Sequence, residues 1–340
     1  MLYFENDYSE GAHQKVLDAL VNSNEEKLSG YGSDEYCLRA KNKVKEACGI
    51  DKGEVYFISG GTQTNQLVID TYLNSYEGVI ACNSGHIALH EGGAIECRGH
   101  KVMVLPHHEG KIDYKELEDY VETFYNDGNR DHMVHPGMVY ISYPSEYGTL
   151  YTKDELTHIS EICKKYHMTF YIDGARLGYG LVSKECDLTL KDISSLCDVF
   201  YIGGTKVGAL CGEAIVFTHD VPKHFITIIK QHGALLAKGR LLGVQFDALF
   251  TDHLYYEISK NAIETSELLK EGLHKKNYTF YLESPTNQQF IIMENKALEE
   301  FGKKVRYSFW EKYDDDHTVI RLATSWATTK EDVEELIKIL

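Results

Sequence analysis

The 340-residue chain has neither the basic start nor the apolar stretch of a secretory leader. It opens Met1-Leu2-Tyr3-Phe4-Glu5-Asn6-Asp7, and no apolar run along it is long enough to span a bilayer, so a cytoplasmic protein is expected. Positive charge is scarce: 35 Lys and Arg stand against 52 Asp and Glu, a formal net charge of -17. Nucleic acids and anionic membranes are bound through dense basic patches, so neither is expected as a main partner, and any anionic ligand has to be held by a local pocket. The eight cysteines, Cys37, Cys48, Cys82, Cys97, Cys163, Cys186, Cys197 and Cys211, include no Cys-x-x-Cys pair. Reduced, buried thiols are expected rather than a disulfide scaffold or a zinc module. Gly-x-Gly-x-x-Gly and the triphosphate loop Gly-x4-Gly-Lys-Ser/Thr are both missing, which weakens nicotinamide and nucleoside triphosphate readings. No internal repeat or low-complexity tract is present.

What is present is an alternation of short apolar runs with helix-like segments. Val55–Ile58 is followed by a helical stretch from about Thr62 to Leu73, and the runs 78–82, 101–105, 138–142, 169–172 and 199–202 continue the series. Strands separated by helices imply crossover connections and a mainly parallel sheet covered on both faces. Thr152 and Glu155 form a capping-box pattern at the start of the helix that joins the runs near Ile141 and Ile172. After about Asp252 the texture changes to an amphipathic helix from Glu257 to Glu271. The strand-like runs 279–282, 289–293, 306–310 and 318–323 follow, and a helix closes the chain. Two domains are expected, residues 1–250 with an N-terminal arm and a smaller α+β domain over residues 251–340.

Candidate chemistry sits at strand ends. Ser59-Gly60-Gly61-Thr62-Gln63-Thr64-Asn65 leaves a strand and opens a helix, where free backbone N–H groups and the helix dipole can cradle a phosphate; a tight turn is the structural alternative. Asp173-Gly174-Ala175-Arg176 ends the next relevant strand, and its aspartate could pair with a pyridinium N–H or, with Arg176, simply fix a loop. Lys206 follows the apolar strand Val199-Phe200-Tyr201-Ile202. Desolvation there lowers a lysine's pKa and prepares it to form a Schiff base with a carbonyl cofactor. His86 and His90, four apart, would share one helical face. That spacing could hold zinc, but no third ligand is evident and it is not the His-Glu-x-x-His arrangement, so no metal is expected.

The order of phosphate turn, aspartate and lysine resembles the threonine aldolase group of the β-eliminating lyases, within the pyridoxal phosphate enzymes of fold type I. The resemblance rests on Ser59 to Asn65, Ser84-Gly85-His86 to Glu91-Gly92-Gly93-Ala94, Asp173 to Arg176, Gly203 to Leu210, and Ile320-Arg321-Leu322-Ala323-Thr324. It implies an α/β fold like that of aspartate aminotransferase, with a mainly parallel seven-stranded sheet in the large cofactor-binding domain. It implies pyridoxal 5'-phosphate as cofactor, attached at Lys206, with Asp173 on the pyridine nitrogen and Gly61 and Thr62 on the phosphate. His86 would stack on the ring, Arg176 would reach the phenolic oxygen or the substrate carboxylate, and Arg321 would bind that carboxylate. Arg240 matches a position that reaches the phosphate of a neighbouring subunit, so a homodimer or homotetramer with shared sites is implied.

The resemblance implies retro-aldol cleavage of L-threonine or a related β-hydroxy-α-amino acid to glycine and an aldehyde. Two departures touch the substrate side. Glu146, in Tyr143-Pro144-Ser145-Glu146-Tyr147-Gly148, falls where similar enzymes carry a histidine facing the substrate hydroxyl, and Asn6 replaces a serine that helps bind the carboxylate. His86, His90, Glu146, the cofactor phosphate or a water are all candidates for the base. The same cofactor residues would also serve a β-elimination on a different amino acid, and a non-catalytic protein that kept the fold is a further alternative.

Overall fold

Val199–Gly203 is buried along its whole length, as is Glu213–Phe217, and such runs become strands because both faces are covered. The computed structural model describes residues 1–340. Seven strands form the large sheet, in the order Glu54–Ile58, Glu213–Phe217, Val199–Gly203, Thr169–Asp173, His135–Ser142, Glu77–Cys82 and Lys101–Leu105. The last five are parallel to one another, whereas Glu213–Phe217 runs antiparallel to both its neighbours. Successive residues point to opposite faces: Phe200 and Ile202 enter one apolar core, Val199 and Tyr201 the other.

Six of the seven strands coincide with the apolar runs of the sequence, and Glu213–Phe217 is the one that alternation did not signal. It returns directly from Val199–Gly203 through a turn, pairing Gly203 with Glu213, so no helix separates the two. The run near Tyr307 also divides. Val305–Arg306 pairs with Leu2–Tyr3, while Ser308–Lys312 joins the four-stranded sheet of the C-terminal part. The helix Lys153–Lys165 begins with the expected capping box, Thr152 and Glu155 each bonding the other's backbone N–H. The cysteines correct one expectation: all eight are free, but Cys97 is exposed and Cys186 and Cys211 are only half-buried.

The 22-residue helix Leu254–Lys275 passes from one core to another. Leu254, Tyr255 and Ile258 pack into the core of the large sheet, whereas Leu269 and Leu273 pack with Phe4, Ile291 and Ile320 beneath the four-stranded sheet. The N-terminal arm follows the same path in reverse. Leu2–Tyr3 pairs in the C-terminal part, Phe4 is buried there, and Asp7 then enters the large part with its carboxylate fully covered.

Candidate active site

Parallel strands end together, so the residues just beyond their carboxyl ends meet in one crevice. Asp173 closes the strand Thr169–Asp173 and is buried. Its Oδ1 accepts from Tyr201 Oη at 2.5 Å and from the Ala175 amide at 3.0 Å. Its Oδ2 accepts from Tyr140 Oη at 2.7 Å and Asn65 Nδ2 at 3.1 Å. All four donors are neutral and no basic side chain pairs with it. A buried carboxylate held this way is prepared for a cationic N–H donor, as a protonated pyridine ring provides.

Lys206 lies one strand over, in the turn between Val199–Gly203 and Glu213–Phe217, with Nζ 5.9 Å from the centre of the Tyr8 ring. Burial and the neighbouring Arg176 lower its pKa, against the pull of Asp7, Asp173 and Glu146. The turn is pinned by Glu213, whose carboxylate accepts from the Gly204 amide at 3.0 Å and from Thr205 Oγ1 at 2.8 Å. Burial pushes the Glu213 carboxyl up to about 7. Opposite, the helix Gly61–Tyr72 starts at Gly60 with no side-chain cap, so its first-turn N–H groups face the crevice together with Thr62.

These groups line an inner cavity of about 310 Å³ that contains Gly61, Thr62, Asp173, Thr205, Lys206 and Glu213. A second cavity of about 450 Å³ lies against it and shares Tyr8, His86, Glu146, Arg176 and Lys206. Only this outer one includes His90, Trp310, Glu311 and Arg321.

His86 opens the short helix His86–Leu89 and its Nδ1 lies 2.8 Å from Glu91 Oε1. Glu91 also accepts from Asn65 Nδ2 at 2.7 Å, so a chain of hydrogen bonds runs from His86 through Glu91 and Asn65 to Asp173. Burial opposes the charged imidazole of His86, but Glu91, Glu146 and Asp173 together raise its pKa. His90 is lowered by burial and by His86, whose ring centre is 5.8 Å away. Glu146 accepts from the His86 amide at 2.9 Å and from Ser142 Oγ at 2.8 Å, both at Oε1. No group of three or more His, Cys, Asp and Glu side chains is placed to hold a metal ion.

Two arginines complete the crevice. Arg176 is clamped by Asp7, Nε to Oδ2 at 2.6 Å and Nη2 to Oδ1 at 2.9 Å. Burial works against the Asp7 carboxylate, yet Arg176, Lys206 and Arg321 hold it down at about 2. Arg321, on the strand His317–Ala323, donates to Gln288 Oε1 at 3.0 Å and to the Glu5 carbonyl at 2.9 Å. Its Nε is buried without a partner, and burial and Arg176 lower its pKa to about 10. A guanidinium that lines a cavity suits a carboxylate.

One expected site residue is placed elsewhere. Asn6 lines neither cavity; its Oδ1 accepts from the Tyr8 amide and Ser9 Oγ within a local turn, and the neighbouring Asp7 is the arm residue that reaches the arginine. Arg240 also lies outside both cavities of its own chain, donating to the Glu26 and Asn24 carbonyls. Conversely, Asn65, Glu91, Tyr140, Tyr201 and Glu213 shape the site although the sequence assigned them no role. Asn65 and Glu91 stood inside recognised motifs, but only the fold brings them together.

Over residues 12–296 the chain matches the family model described as beta-eliminating lyase. It is similar to the low specificity L-threonine aldolase of Pseudomonas aeruginosa, 28% identical over 347 aligned residues that cover 98% of this chain and 96% of that one. Among solved structures it is similar to the threonine aldolase of Leishmania major, with a TM-score of 0.96, 40% identity, and coverage of 100% and 98%. An aspartate aminotransferase double mutant of Thermus thermophilus shares the fold at a TM-score of 0.73 and 14% identity, covering 100% of this chain and 90% of that one.

Proposed function

The chain belongs to the beta-eliminating lyase family, and from that premise we propose that it is a pyridoxal phosphate-dependent aldolase cleaving L-threonine or a related β-hydroxy-α-amino acid to glycine and an aldehyde. The observation that carries this reading is the convergence of Lys206 and Asp173 on one cavity while Arg321 lines the adjoining one. The residues fit the cofactor: Lys206 Nζ would hold its aldehyde carbon, Asp173 its ring nitrogen, the first turn at Gly61 and Thr62 its phosphate, and His86 would lie against its ring. When bound, pyridoxal phosphate supplies the electron sink for the pair released as the Cα–Cβ bond breaks.

The chain's own residues do the rest. Arg321 binds the substrate carboxylate, and Arg176, fixed by Asp7, keeps Nη1 for the cofactor's phenolic oxygen or the same carboxylate. Glu146 holds Oε1 against the His86 amide and Ser142, which leaves Oε2 as the acceptor for the β-hydroxyl proton. His90, with its lowered pKa, lines the substrate side as a neutral imidazole.

Arg240 supports a shared site. The inner cavity holds no arginine or lysine besides Arg176 and Lys206, so a dianionic phosphate calls for further positive charge from a second copy, in a homodimer or homotetramer. Eight unpaired cysteines suit a reducing compartment, the cytoplasm.

The test is the visible absorption spectrum after incubation with pyridoxal phosphate, followed by borohydride reduction and peptide mapping. A label on Lys206 is expected; a colourless protein with no label there overturns the cofactor assignment. Glycine plus acetaldehyde from threonine supports aldol cleavage, whereas ammonia plus a 2-oxo acid identifies a β-elimination instead.

A further inference from the structure

The outer cavity is far larger than the methyl group of threonine requires, and its far end carries a specific chemistry. The strand Ser308–Lys312 has an irregular register opposite His317–Ala323, between Phe309 and Glu311. A bulge of this kind re-aims side chains. Here Trp310 and Glu311, adjacent in sequence, both line the cavity instead of pointing to opposite faces. Glu311 is half-buried, accepts from Tyr147 Oη at 3.2 Å and makes no salt bridge. The Tyr147 and Trp310 rings meet edge to face with centres 5.1 Å apart. Leu89 and Phe309, 61% and 64% exposed, stand along the same wall.

A carboxylate without a counter-ion, framed by aromatic rings, is the environment that selects a cation carried on an apolar stem. We propose that this end is a subsite for β-hydroxy-α-amino acids whose β-substituent ends in a cationic group. The proposal rests on the aldolase reading above and names its substrate class. The substrate's carboxylate neutralises Arg321, whose guanidinium lies 5.4 Å from the Trp310 ring centre. Its β-hydroxyl meets Glu146, its stem runs past Tyr147 and Phe309, and its terminal charge lies at Glu311. Cleavage moves the hydroxyl proton to Glu146 and breaks the Cα–Cβ bond; the electron pair stays with Cα, which takes up one proton in exchange. Glycine is one product, and the other is an aldehyde that keeps the cationic group.

The test compares kcat/KM of the holoenzyme for 3-hydroxylysine and 3-hydroxynorleucine, which share the reacting atoms and differ in the terminal charge, with L-threonine as the control for aldolase activity. Wild type is expected to favour the cationic member on the order of ten-fold, and Glu311→Gln to bring the ratio close to one. Equal rates in wild type, or a preference that survives Glu311→Gln, would overturn the subsite. If no substrate yields glycine, threonine included, the aldolase reading fails separately. The subsite is then decided by binding of L-lysine against L-norleucine, read from Trp310 fluorescence in a Trp326→Phe background. Tighter binding of lysine by a similar factor supports the subsite, and equal binding overturns it.

Discussion

Glu146 has one carboxylate oxygen engaged and the other free, which is the arrangement a general base needs: fixed orientation and an open lone pair. Replacing it by Gln keeps the shape and removes the basicity, so Glu146→Gln is expected to lower kcat for threonine by about 10²–10⁴-fold with the cofactor's visible absorption retained. A loss of less than ten-fold, measured by glycine release, would move the base elsewhere. Asp7 makes a different kind of prediction. Its folded pKa of about 2 lies below the ordinary value of 3.8, so the stability it contributes is fully present above 3.8 and is lost as pH falls through 2. That contribution is about 2 kcal/mol. Asp7→Ala leaves Arg176 buried without its partner and should cost about 3–5 kcal/mol in urea unfolding at neutral pH, with the difference from wild type shrinking in acid.

At the scale of elements, the hairpin that carries Lys206 decides how well that lysine is held. Glu213 bonds the Gly204 amide and Thr205 Oγ1, the two residues before Lys206. Its carboxyl titrates at about 7 in the fold against 4.5 when free. Between those values the native chain keeps a proton that the unfolded chain has released, so stability falls as pH rises across this window. Glu213→Gln should flatten the pH dependence of unfolding between about 4.5 and 7, and an unchanged slope would assign it to another group. This hairpin also marks where sequence reading ended. Six strands joined through helices announced themselves by apolar runs of strand length, and Thr152 with Glu155 announced a helix start. Glu213–Phe217 did not, because a turn rather than a helix precedes it. Lys206, Asp173 and Arg321 were legible since each ends or interrupts an apolar strand. Glu91 and Asn65 stand 26 residues apart and Asn65 and Asp173 108 apart, so their hydrogen bonds exist only once the sheet has formed.

In the whole molecule, the site is assembled from parts that no single segment contains. Lys206, Asp173 and Glu146 come from the large sheet, Arg321 and Trp310 from the four-stranded sheet, and the arm from Leu2 to Asp7 and the helix Leu254–Lys275 join the two. The proposed shared site would extend the same logic between copies through Arg240, which lines neither cavity of its own chain. If its partner is the phosphate bound in a second subunit, Lys206→Ala and Arg240→Ala damage the same site from opposite chains. A mixed dimer of the two variants then regains one intact site, with Lys206 from one chain and Arg240 from the other, while its second site carries both lesions. Random reassociation of equal amounts makes half of the dimers mixed, each with one working site of two. Activity is therefore expected to recover to about a quarter of the wild-type level, from two parents that are each strongly impaired. Glycine release measured before and after co-refolding decides it. Activity that stays at the mean of the two parents would show that Arg240 does not serve a neighbouring site.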